Sequence, residues 1–113
     1  MNEYLLLFRA DYKVIATASS ELMEERNISW MNWIDRFVKE QKLVSGNHLA
    51  STGKVIERNG IVKDGPLSEI KESILGYIII KAHSYDDAII IASECPILGG
   101  EGNTVEVREI ASV

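Results

Sequence analysis

Cysteine occurs once in the 113 residues, and proline and histidine twice each. A single Cys95 cannot close an internal disulfide, so the fold must rest on its core, and a reducing, cytoplasmic setting is expected. Positive charge is also in short supply. Twelve Lys and Arg stand against seventeen Asp and Glu, a formal net charge of −5, opposite in sign to the footprint that phosphate backbones select. Direct nucleic-acid binding is therefore disfavoured. Apolar runs such as Ile78-Ile79-Ile80 and Ala88 to Ala92 fall far short of the ~20 residues that a bilayer-spanning helix needs. The start, Met1-Asn2-Glu3 followed by Tyr4-Leu5-Leu6-Leu7-Phe8, lacks the basic region and small-residue cleavage site of a signal peptide. Neither a membrane span nor secretion is expected.

Hydrophobic residues make up 46% and charged residues 26%, the composition of a soluble globular domain. The length suits one domain, residues 1–113. Residues 4 to 8 form a short, continuous apolar run, the signature of a strand buried on both faces. Trp30, Ile34 and Phe37 then recur at offsets of four and three, with Met23 and Asn27 on the same line, which predicts an amphipathic helix from Ser19 or Ser20 to about Gln41. Asn59-Gly60 lies between two β-branched runs over residues 54 to 63 and predicts a hairpin closed by a type I′ turn. Tyr77 to Ala82 is a second buried strand. Ser84-Tyr85-Asp86-Asp87 resembles a capping box ahead of Ala88, Ile91, Ala92 and Cys95 at helical spacing. Pro96 ends that helix, and the alternation of Val105 to Arg108 marks a last strand.

Two strand-helix units, each returning to a strand, predict a ferredoxin-like α+β fold, βαββαβ, whose antiparallel sheet carries both helices on one face. The Asn59-Gly60 hairpin is expected to add an extra strand to it. The other face of the sheet is left open while its strands remain apolar, and a second copy of the chain is the simplest cover.

The stretch Asp64-Gly65-Pro66-Leu67-Ser68-Glu69-Ile70-Lys71-Glu72 resembles the signature of the YCII-related family, in the branch known for its Asp-Gly-Pro-Phe motif. The resemblance extends from Tyr4-Leu-Leu-Leu through Gly76-Tyr77 to Cys95-Pro96 and Val105 to Arg108. Leu67 stands where that branch has phenylalanine, Ser68 where it has alanine and Ile70 where it has threonine. The resemblance implies a homodimeric α/β-barrel with two sheets face to face, and a small enzyme or ligand-binding protein with an acidic residue in a cleft.

Asp64 is the leading candidate for catalysis. A carboxylate held on a rigid Gly-Pro turn can act as a general base or accept a hydrogen bond from a ligand, although aspartate before Gly-Pro is equally an Asx-turn residue bonding its own backbone. Gly65, Pro66, Leu67 and Lys71 are the candidate ligand contacts, with Lys71 as a cation for an anionic ligand. His83, between the second buried strand and its helix, and His48, after the first helix, are weaker candidates to join Asp64; either is equally a solvated loop histidine. Two scattered histidines and one cysteine fit no metal-ligand spacing, and neither a metal nor a cofactor is expected. Cys95 at a helix C-terminus is a packing residue. Trp30, Trp33 and Phe37 read as core, and Gly99 to Gly102 as a turn. The resulting expectation is a small-molecule enzyme working through Asp64, with a non-catalytic dimeric binding module as the alternative.

Overall fold

In the computed structural model the described residues are 1–65 and 73–112. Four strands, β1 (Asn2–Ala10), β2 (Leu43–His48), β5 (Ser73–Ala82) and β6 (Thr104–Glu109), form one antiparallel sheet in the order β2-β5-β1-β6. Two further strands, β3 (Gly53–Ile56) and β4 (Val62–Gly65), pair only with each other. The helices are α1 (Tyr12–Ala16), α2 (Ser20–Lys39) and α3 (Tyr85–Ser93), and a short 3-10 turn covers Pro96–Gly99. Each long helix returns the chain past a neighbouring antiparallel strand, which is the split βαβ arrangement of a ferredoxin-like fold.

Local signals explain both long helices. The Ser19 hydroxyl accepts a hydrogen bond from the Leu22 N–H at 3.1 Å, and the Ser84 hydroxyl accepts one from the Asp87 N–H at 3.3 Å, each satisfying a donor that the first turn leaves unpaired. Trp33 and Phe37 of α2 and Ala88 and Ala92 of α3 are buried against Tyr4, Leu6, Phe8, Ile78 and Ile80 on one face of the sheet. Trp30 and Ile34 pack at the margin of this core. The Trp33 indole N–H donates to the Ile91 carbonyl at 3.2 Å, tying the two helices together. Pro96 occupies the first turn of the 3-10 segment, where its missing N–H costs nothing.

Three expectations are corrected. The extra hairpin does not extend the main sheet; its strands form a separate two-stranded arm. The edge strand next to β5 is Leu43–His48, so His48 lies in a strand and not in a loop. Third, the Asn59-Gly60 turn is not type I′, because Gly60 alone there has positive φ. The Gly60 N–H donates to the Glu57 carbonyl and the Glu57 N–H to the Ile61 carbonyl, a three-residue loop with glycine in the left-handed position. Asn59 contributes through its side chain, which accepts from the Ile61 N–H at 3.0 Å.

Among the described residues, α2 and α3 both pack on one face of the sheet and leave the other to its own side chains. Leu5 and Leu7 of β1 and Tyr77 and Ile79 of β5 lie there, half-buried by their neighbours. The molecule is accordingly a plate of 44 × 43 × 20 Å, one sheet and one helical layer thick.

Candidate functional site

Asp64 sits on β4 directly opposite Lys54 of β3, and the Lys54 ammonium donates to its carboxylate. This pair is solvated, with 87% of the Asp64 side chain exposed. Because side chains alternate along a strand, the Lys54–Asp64 pair and the next-but-one cross-strand pair, Ile56–Val62, share one face of the arm. Both apolar residues are open to solvent. Gly65 closes β4 opposite Gly53. Pro66, Leu67 and Lys71 lie outside the described residues. Within the described arm the cation beside Asp64 is Lys54.

The two histidines are at opposite ends of the sheet. His48 pairs with Gly76 in the first half of β5, whereas His83 follows the strand's last residue, Ala82. At ~3.3 Å per residue the seven steps along β5 separate them by about 23 Å, so one protomer cannot bring both to one ligand. His48 is five residues ahead of the arm's first residue, Gly53, and its ring lies 6.2 Å from that of Trp30. The connection leaving it is held where the Tyr12 hydroxyl donates to the Leu49 carbonyl. Of the two, His48 is at the arm's root. Among the described residues no group of three potential metal ligands occurs.

Sequence reading missed a polar row across the open face. Register puts Asn47, Tyr77, Leu7 and Glu106 side by side on β2, β5, β1 and β6. The Asn47 amide donates to the Tyr77 hydroxyl at 3.3 Å, and Arg9 reaches Glu106 at 3.3 Å. The continuous apolar runs of β1 and β5 carry no alternation to single out Leu7 and Tyr77, and only knowledge of the pairing joins them to Asn47 and Glu106. A shallow concavity lined by Glu57, Arg58 and Asn59 lies at the arm's tip, away from Asp64 and both histidines, and offers little enclosure for a ligand. Cys95 is buried in the core, and loss of hydration pushes its thiol up to about 11, offset in part by a hydrogen bond with the Ile97 backbone. Such a thiol stays protonated and unreactive at neutral pH.

The model of the YCII-related domain matches residues 4–112. The chain belongs to the YCII-related family. Comparison with curated proteins finds no match. Among solved structures, this YCII-related chain is similar to the 5-chloro-2-hydroxyhydroquinone dehydrochlorinase TftG from Burkholderia phenoliruptrix AC1100, in complex with 2,5-dihydroxybenzoquinone. The TM-score is 0.51 at 14% identity, covering 96% of this chain and 93% of that one. At that identity the likeness is one of fold. The described helices of the YCII-related chain include none long and apolar enough to cross a membrane.

Proposed function

We propose that this YCII-related protein, of the Asp-Gly-Pro branch, is a small-molecule enzyme that works as a homodimer in the cytoplasm. Asp64 supplies acid-base chemistry, with His48 or His83 as the histidine to join it, and Gly65, Pro66, Leu67 and Lys71 shape the ligand contact. The observation that carries this reading is the family match over nearly the whole chain, with support from a whole-length fold likeness to an enzyme whose structure holds a small quinone. A solvated carboxylate is a poor base, and the open sheet face of a second copy offers the shielding that Asp64 lacks in one protomer.

The test is turnover of a panel of hydroxylated quinones and halogenated hydroquinones by the wild type and by Asp64→Asn. Conversion by the wild type, reduced at least 100-fold in the variant, is expected. Conversion unaffected by Asp64→Asn removes Asp64 from the chemistry.

A second reading, a non-catalytic dimeric module for a metabolite or protein, is favoured by the exposure of Asp64 and its existing partner Lys54. It predicts that a ligand from the same panel raises the thermal midpoint without being consumed.

A further inference from the structure

We infer that the β3–β4 arm is an intersubunit clasp, which lays its Ile56–Val62 face on the open sheet of a second copy and so carries the Lys54–Asp64 pair into a site completed by that copy. The inference rests on the homodimer reading above. It adds which segment crosses between subunits and which chain supplies the carboxylate.

The first support is area. A folded chain of 12.6 kDa exposes 8026 Å² here, whereas a monomer of that mass ordinarily exposes about 6,200 Å². The excess, about 1,800 Å², is more than twice the ~800 Å² that each partner contributes to a standard interface. The radius of gyration, 15.5 Å, likewise exceeds the roughly 13 Å of a compact chain of this length. The chain is opened out, with apolar side chains of the arm left in solvent.

The second support is the arm's composition. Ile56 is 74% and Val62 56% exposed, and Ile61 beside them is 51% exposed. A two-stranded hairpin with its apolar face in water is marginal on its own. The protomer's sheet does not cover it, since Ile56 remains open. On the same chain, Leu5, Leu7, Tyr77 and Ile79 form an apolar sheet face opposite the one that α2 and α3 cover. In a two-fold dimer the two patches cover each other twice, once in each direction. Ile56, Val62, Lys54 and Asp64 share one arm face, so covering the apolar pair also desolvates the ion pair. The polar row with Asn47, Tyr77 and Glu106 lies on the receiving sheet. The ligand class that fits between them is a small, flat molecule with hydroxyl or carbonyl groups, able to meet a phenol, an amide and a carboxylate together.

Ile56→Asp combined with Val62→Asp tests this cleanly, because both side chains are exposed in the protomer and their replacement leaves its core untouched. Light scattering and sedimentation on the full chain are expected to show a wild-type particle of twice the chain mass, with dimer affinity at least 100-fold weaker in the double variant and an unchanged far-ultraviolet spectrum. Single Ile56→Glu, expected to weaken the dimer at least 10-fold, serves if the double variant folds poorly. A soluble gadolinium chelate should broaden the Asp64 carboxyl carbon at least threefold less in the wild-type dimer than in the dissociated variant. A wild-type dimer whose affinity survives the substitutions overturns the clasp and leaves the homodimer standing. A wild-type monomer overturns both. A variant that dissociates while Asp64 is equally accessible in both states overturns the shared site.

Discussion

Two β-structures in this chain draw on the same β-branched residues and end in opposite environments. Ile78 and Ile80 of β5 are almost wholly enclosed, whereas Ile56 and Val62 of the arm stand in solvent. Strand-forming preference is common to both, so it does not decide burial; the helices do, by covering one face of the four-stranded sheet and leaving Ile56 and Val62 of the arm open. The body is therefore held by its own core, and the arm's apolar pair is left in water. Leu6, fully buried between Ile78 of β5 and Val107 of β6, is the place to test this. Leu6→Ala should lower unfolding free energy by about 2–5 kcal/mol. Ile56→Ala in dilute protein should change it by less than about 0.5 kcal/mol. Denaturant titration of both variants at one low concentration measures the contrast, and equal losses would erase the distinction between the two regions.

The pairing of β2 with β5 sharpens the comparison from the other side, because it uses backbone and not side chains. A Cβ placed on Gly76 would lie 2.6 Å from the Asn47 carbonyl oxygen and 3.2 Å from the His48 Cα, contacts that only a shift of the edge strand can relieve. Gly76→Ala is expected to cost about 1–3 kcal/mol and to speed amide hydrogen exchange over residues 43–48, with residues 53–65 unaffected. Faster exchange in the arm as well would mean that arm and edge strand unfold as one unit.

Legibility in the sequence followed the same division. Apolar runs marked β1 and β5, serine caps marked α2 and α3, alternation marked β6, and Asn59-Gly60 located the arm's loop, because each of these signals is local. β2 was invisible. Leu43-Val-Ser-Gly-Asn-His reads as turn-forming residues, and it becomes a strand only because β5 offers an edge, with Val44 bulged out between Leu43 and Ser45. Without β2, the hairpin reads as an extra strand of the sheet and His48 as a loop residue. Asp64 was found as a residue, but its neighbour Lys54 and its place on a free-standing arm follow from cross-strand pairing. Pairing is a long-range property that no spacing along the chain encodes.

Cys95 gives the body a pH signature. Its thiol titrates at about 11 in the folded protein against 9.0 for an ordinary thiol, so the unfolded chain loses its proton first. The folded state has the full benefit of the neutral buried thiol below pH 9 and loses it as pH rises through 11, a decline on the order of 2 kcal/mol across that window. Denaturation midpoints measured between pH 8 and 11 should fall in the wild type and fall less steeply in Cys95→Ala. Parallel curves would mean that Cys95 is not the group responsible.

The last contrast concerns the carboxylate proposed for the site. Within one protomer the Lys54–Asp64 pair is a solvated cross-strand contact, and such pairs contribute roughly 0–1 kcal/mol. A double-mutant cycle of Lys54→Ala and Asp64→Asn, read by chemical denaturation at nanomolar protein, should therefore give a coupling below about 1 kcal/mol that shrinks as salt screens it. At concentrations where two copies associate, the same pair loses water if the arm is covered, and its coupling should grow and become less sensitive to salt. The concentration dependence is what separates the two environments: a surface pair in a rigid monomer has the same coupling at every concentration. A coupling that is small, screened and independent of protein concentration would make Asp64 a turn-proximal surface residue, and the site would have to be sought along the Asn47–Tyr77 row instead.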